Sequence, residues 1–184
     1  MAKVIVVGDG PGGLSAALFL SKLEMDVTVF GVDKTSMHSA MLYNYLGIPE
    51  MTGSEFQEIA RQQVTGFGAD LQNKQVTGIE KTDNGFTATT EDGTKHESKY
   101  VVLAEGKGVK LNVNLGLTKA GTNVETGDSG RTSIDNLYVI GRSTNILRTQ
   151  AIISAGQGAA AALDILSIEL GKDVRDFDEV PKEE

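Results

Sequence analysis

Gly8, Gly10 and Gly13 stand in G-x-G-x-x-G spacing directly behind the apolar run Val4-Ile5-Val6-Val7. Without Cβ atoms, glycines at that spacing let the backbone turn sharply and come close to a phosphate oxygen. Behind the turn, Leu14, Ala17, Leu18 and Leu20 recur at helical spacing. A helix starting there, with Pro11 and Gly12 in its entry, aims unpaired N–H groups and a positive dipole end at the turn. The chemistry is capture of a pyrophosphate by backbone amides. A glycine turn alone is a weak signal, and the plain alternative is a tight turn that binds nothing. The strand before it and the helix after it favour a dinucleotide. Asp33 follows Gly13 by 20 residues, the distance at which a Rossmann βαβ unit places an acid on ribose hydroxyls. The alternative there is a solvated loop acid, with Lys34 beside it.

Little else in the chain carries chemistry. Its 184 residues contain no cysteine, which excludes disulfides, thiolate metal sites and thiol relays. His38 and His96 are far apart and match no metal spacing. His38 lies in the loop after the second strand, as a proton donor to a ligand or as an ordinary surface residue. Net charge is −8, which argues against nucleic acid or an anionic membrane as partner. A phosphate site must then draw on backbone dipoles more than on Lys and Arg. The absence of a leader pattern or of an apolar run near ~18 residues leads to an expectation of a cytoplasmic protein with no membrane span.

The elements that must position these residues follow from the pattern. Asp26–Phe30 reads as a second strand, and residues 35–49 as a loop or broken short helix crossing the glycine-turn end. A helix is expected from Gly53 or Ser54, with Ser54 as N-cap and Phe56, Ile59, Ala60 and Val64 as its apolar stripe. Asp83-Asn84-Gly85 and Glu91-Asp92-Gly93 separate three short antiparallel strands over 74–99. Tyr100–Ala104 and Leu137–Ile140 read as buried strands, with extended loop and one or two short strands over 107–133. Gln150–Leu170 is the longest helix, and Gly156 and Gly158 within it point to a close approach of backbone or ligand. Residues 1–172 therefore read as one α/β domain, a Rossmann-like parallel sheet with an inserted three-stranded β-meander. Residues 173–184 read as a loosely ordered acidic tail.

With these residues in place, the chain resembles the FAD-binding domain of the thioredoxin reductase-like (pyridine nucleotide-disulfide oxidoreductase) flavoproteins. The likeness rests on G-D-G-P-G-G at 8–13, F-G-V-D-K at 30–34, Y-N-Y-L-G-I-P-E-M-T-G at 43–53, A-E-G at 104–106, T-S-I-D-N-L-Y-V-I-G-R at 132–142 and Q-A-I-I-S-A-G-Q-G-A-A-A-A at 150–162. It implies that Gly8, Gly10, Pro11, Gly12 and Gly13 hold the FAD pyrophosphate and that Asp33 and Lys34 meet the adenosine side. It further implies that Asn44 faces the flavin, that backbone of Gln75 and Val76 meets adenine, and that Gly106 and Gly141 line the pocket. The resemblance also implies that Gln150 and Ala151 open a helix whose dipole stabilises charge on the flavin ring. Tyr43 and Tyr45 are candidates to stack on that ring or to pack on the sheet, and Arg148 to meet a partner or phosphate. Met37, Met41 and Met51 read as pocket or interface filler, and Glu105 as a solvated residue.

Three departures shape the expected function. Only 34 residues separate Gly106 from Gly141, too few for the inserted NAD(P)H domain, and the C-x-x-C is missing. Arg142 replaces the family's ribityl-binding Asp, either meeting the pyrophosphate or swinging outward. The resemblance thus implies a compact FAD-dependent oxidoreductase that takes electrons from an external donor, whether diffusing NAD(P)H, ferredoxin or a partner protein. It would pass them to an external acceptor, work as a homodimer and leave the catalytic residues unassigned. The alternative is an FAD- or ADP-nucleotide-binding sensor without catalysis.

Overall fold

The computed structural model describes residues 2–107, 110–117, 119–121, 123–145 and 147–180. In chain order the elements begin with β1 (Lys3–Val7), α1 (Pro11–Lys22), β2 (Asp26–Gly31), the two-residue strands β3 (Met41–Leu42) and β4 (Met51–Thr52), and α2 (Gly53–Gly66). Then come β5 (Asp70–Asn73), β6 (Val76–Thr82), β7 (Gly85–Thr90), β8 (Lys95–Ser98) and β9 (Tyr100–Leu103). The chain continues through α3 (Lys110–Asn114), β10 (Lys119–Ala120), β11 (Asn123–Val124), β12 (Leu137–Val139) and α4 (Ala151–Leu170).

β1 is central because its V-I-V-V run has no polar face to leave in water. It pairs in parallel with β2 and β9, Ile5 standing opposite both Thr28 and Val101. The five-stranded parallel sheet runs β12-β9-β1-β2-β5. Alternate residues of each strand serve different layers. Val4, Val6, Val27, Val29, Tyr100 and Val102 pack under α1 and α4 with Leu14, Leu20, Ile165 and Leu166. Ile5, Val7, Phe30, Val101 and Leu103 pack on the other side against Ile79, Phe86 and Ala88 of the β6–β7–β8 meander. The doubly covered sheet and the meander match the expectation, as do β12 and α4.

α1 and α4 meet closely because their seam is lined by glycine and alanine. A Cβ added at Gly158 would lie 2.1 Å from the Gly12 carbonyl oxygen and 2.9 Å from the Ala16 nitrogen. Nothing lies within 4 Å of a Cβ added at Gly156, so only one of the two helix glycines marks a close approach. α4 is long and apolar enough to cross a bilayer by length and composition alone. It contains no unbroken apolar run of that length because Gly156, Gln157 and Gly158 divide it. In this fold it is a core helix, with Ala161, Ala162, Ile165 and Leu166 buried.

Several expectations need correction. α2 is capped by Thr52, whose hydroxyl accepts from the Glu55 N–H at 3.2 Å, and Ser54 turns elsewhere. β5 escapes a reading by pattern, because Asp-Leu-Gln-Asn at a sheet edge offers one apolar residue; α3 likewise replaces part of an expected loop. The start of the tail is not loose. Asp176 and Asp178 both accept from Lys22, and the Val174 N–H donates to Ser167 Oγ at 3.0 Å.

Candidate functional site

The C-terminal ends of the parallel strands open into a cavity of about 730 Å³, where the N-termini of α1 and α4 converge. Gly10, Pro11, Gly12, Lys34, Asn44, Gly106, Gly141, Arg142, Gln150 and Ala151 all line it, joined by Asp9, Met37, Met41, Glu105, Lys107 and Ser154. Three cations (Lys34, Lys107, Arg142) thus face a wall with two carboxylates, Asp9 and Glu105, in a chain of net charge −8. Asp9 is already ion-paired with Arg61. Together with two helix N-termini, this gives the cavity wall a net positive character.

The glycines divide their labour. Gly8, at φ +106, turns the chain under the Ala104 carbonyl, where a Cβ would lie 2.3 Å from the oxygen. Gly13 packs so closely that a Cβ would lie 1.8 Å from the Gly8 oxygen. Neither lines the cavity; they shape the turn that presents Gly10, Pro11 and Gly12.

Around the cavity mouth, two distant segments are tied together. Asn44 Nδ2 donates to Gln150 Oε1 at 3.0 Å, joining the connection between β3 and β4 to the residue that precedes α4. Gly141 N donates to Gln157 Oε1 at 2.8 Å, and Gln157 Nε2 to Thr144 Oγ1 at 3.2 Å, so α4 holds the Gly141–Thr144 turn. Ser143 Oγ donates to the Gly106 carbonyl at 3.1 Å. Arg142 projects from that turn into the cavity wall. Its Nε–H is buried and has no hydrogen-bond partner among the described residues. A buried guanidinium N–H without an acceptor is costly.

Asp33 does not line the cavity, although Lys34 does. It adopts a left-handed φ of +52. Its N–H donates to Asp9 Oδ2 at 3.0 Å, and its carboxylate Oδ1 is 3.0 Å from His38 Nε2. His38 therefore braces Asp33 and also meets Ser54 Oγ at 2.9 Å; it does not line the cavity as a proton donor would. Val76 opens β6 of the meander, is buried and does not line the cavity, and the Gln75 carbonyl accepts from the Glu91 N–H at 2.8 Å. Tyr45 packs on Phe56 of α2, ring centroids 5.5 Å apart, while Tyr43 is exposed; neither lines the cavity. Glu105 is not merely solvated, since its Oε1 accepts from the Leu111 N–H at 3.2 Å.

Sequence reasoning missed Asp9, Gln57 and Arg61. Asp9 is 5% exposed and Gln57 1% exposed. Gln57 Nε2 donates to the Asp9 carbonyl, and Arg61 Nη1 to its carboxylate. The available signal was Asp9 itself, a carboxylate inside a turn built for an anion, which requires a cation beside it.

No family model matches the chain. It is 32% identical over 114 residues to an alkyl hydroperoxide reductase protein of Staphylococcus aureus, covering 60% of this chain and 22% of that protein. The chain thus spans about a fifth of the length of that curated relative. Among solved structures it resembles a thioredoxin reductase from Gloeobacter violaceus, with TM-score 0.84, 16% identity, and coverage of 98% of this chain and 99% of that one. It also resembles a ferredoxin-flavin thioredoxin reductase from Clostridium acetobutylicum, with TM-score 0.79, 17% identity, and coverage of 92% and 99%.

Proposed function

We propose that this chain, whose fold is that of the FAD-binding domain of thioredoxin reductases, is a compact FAD-binding flavoprotein that takes electrons from an external donor and hands them to an external acceptor. The observation that carries the reading is the buried, unpartnered Arg142 Nε–H in the wall of a cationic cavity capped by two helix N-termini. Bound there, FAD supplies a two-electron store that the protein's own side chains lack. Backbone N–H groups of Gly10 and Gly12, together with Arg142, serve the pyrophosphate and ribityl portion. Asp33, held by Asp9 and His38, serves the adenosine ribose. The N-terminus of α4, at Gln150 and Ala151, supports charge at the ring end.

The chain has no cysteine for a redox disulfide of its own, and the short span between Gly106 and Gly141 supports an NAD(P)H donor that diffuses in or a partner protein that docks. A second copy of the chain is the expected partner in a homodimer, supported by Leu46 and Leu147, 90% and 91% exposed. The same reading sets the protein in the cytoplasm, with α4 as a core helix. Anaerobic titration of the FAD-loaded chain with NADH, NADPH and reduced ferredoxin tests the redox role through flavin absorbance. Bleaching by any of the three supports it. A spectrum bleached by dithionite alone favours the sensor reading instead.

A further inference from the structure

Three residues of α2, Ser54, Gln57 and Arg61, are spaced three and four apart and so lie along one face of the helix. All three contact the glycine turn or the loop that follows β2. Arg61 Nη1 donates to the Asp9 carboxylate and Gln57 Nε2 to the Asp9 carbonyl. Ser54 Oγ meets His38 Nδ1 at 2.9 Å, and His38 Nε2 meets Asp33 Oδ1 and the Asp33 carbonyl at 3.0 Å each. A neutral imidazole protonated at Nε2 satisfies both sides, donating to Asp33 and accepting from Ser54. Asp9 Oδ2 in turn accepts the Asp33 N–H at 3.0 Å. The carboxylate of Asp9 occupies space that only a glycine leaves free, for a Cβ at Gly31 would lie 2.2 Å from Asp9 Cγ.

Asp33 is thereby held at both its backbone and its side chain, by two chains of contacts that start on the same helix. The grip matters because Asp33 sits at φ +52, a backbone conformation uncommon outside glycine. Asp tolerates it better than most residues, and Glu24, Ser129 and Asn136 also adopt it in this chain. Its Oδ2 makes no hydrogen bond among the described residues, which leaves it available to a ribose diol.

We propose that the polar face Ser54–Gln57–Arg61 is a positioning device that aims Asp33, through Asp9 and His38, and so sets the chain's preference for nucleotides with an intact adenosine ribose diol. The proposal rests on the dinucleotide reading above. Its test is the ratio of affinities for ADP and 2′,3′-dideoxy-ADP, measured by calorimetry on the unaltered chain and on the variants Arg61→Met and Ser54→Ala. A carboxylate that binds the diol gives the unaltered chain about a tenfold preference for ADP, the scale of one charge-assisted hydrogen bond. Both variants are expected to bring that ratio toward one. Dideoxy-ADP affinity holds in Ser54→Ala, whereas Arg61→Met, which unpairs Asp9 in the cavity wall, lowers the affinity for both nucleotides as well. If Arg61→Met fails to fold because Asp9 loses its cation, Ser54→Ala, which acts on the exposed His38, carries the test alone. A variant that weakens both nucleotides equally and keeps the ratio overturns the positioning role and leaves the nucleotide site standing. An unaltered chain that binds neither nucleotide overturns the nucleotide reading together with this proposal.

Discussion

At the N-terminal side of the sheet, the buried tyrosines of neighbouring strands each reach a carboxylate on α4. Tyr100 donates to Glu169 and Tyr138 to Asp164, each at 2.7 Å. Lys99 closes on Glu169 at 2.5 Å, and Arg131 forks onto Asp164 with two contacts of 2.7 Å. At the C-terminal side, by contrast, the Arg142 Nε–H has no hydrogen-bond partner among the described residues, three cations face an open cavity, and Asp33 adopts a positive φ. One sheet thus carries a closed polar end and an open one. Neither an orphaned polar atom nor a positive φ is by itself peculiar to the open end. Ser21 Oγ and Ser98 Oγ are also buried without a partner among the described residues, and Glu24 and Asn136 also sit at positive φ. What sets Arg142 apart is that its orphaned N–H belongs to a residue lining a cavity. Burial, with the Asp164 carboxylate beside it, raises the Tyr138 hydroxyl well above the usual phenol range, as expected of a group whose task is to donate.

The largest expected effect strikes the seam shared by both ends. Gly158→Val drives side-chain atoms into the Gly12 carbonyl and is expected to cost about 3 kcal/mol or more, read by urea unfolding, with nucleotide binding lost as well. Next, Asp164→Ala strips the closed end, leaving the Tyr138 hydroxyl buried and Arg131 without its fork. A loss of about 1–3 kcal/mol is expected, with FAD affinity unchanged, and a fall in affinity breaks the division between the two ends. Arg142→Met is the mirror experiment. FAD affinity is expected to fall about tenfold, while the melting temperature of the ligand-free chain holds or rises because an orphaned N–H is gone.

The smallest effect is in pH. Burial works to raise the Asp164 carboxyl, but hydrogen bonds from Arg131 and Tyr138 outweigh it and hold the group below its ordinary value. Glu169 is held down in the same way by Lys99 and Tyr100. Both carboxyls bind protons more readily in the unfolded chain, so their stabilisation is present above roughly pH 4 and is lost as pH falls through the folded values. Thermal melts of Asp164→Asn are expected to show a shallower acid limb than the unaltered chain.

The closed core and the glycine turn are legible in the sequence because apolar runs and glycine spacing leave few folds to choose from. Tyr100–Ala104 and Leu137–Ile140 announce buried strands, and Gln150–Leu170 a long helix, each within a residue or so of β9, β12 and α4. The polar half of the site is harder to read. Periodicity in α2 picks out Phe56, Ile59, Ala60 and Val64, whereas Ser54, Gln57 and Arg61 act through side chains whose targets are set by tertiary packing. The position of Val76 is hidden because a register irregularity between Val76 and Gly78 belongs to the strand pairing and leaves no mark in composition. The direction of Arg142 is fixed by the Gly141–Thr144 turn, which Gln157 holds from 16 residues along the chain.

The most direct measurement is a titration of the nucleotide-free chain with FAD, followed by flavin fluorescence, alongside Asp33→Ala and Arg142→Met. One equivalent of FAD is expected to bind, with both variants weaker. Saturable binding of NAD or ATP with none of FAD, or FAD binding indifferent to both substitutions, contradicts the account.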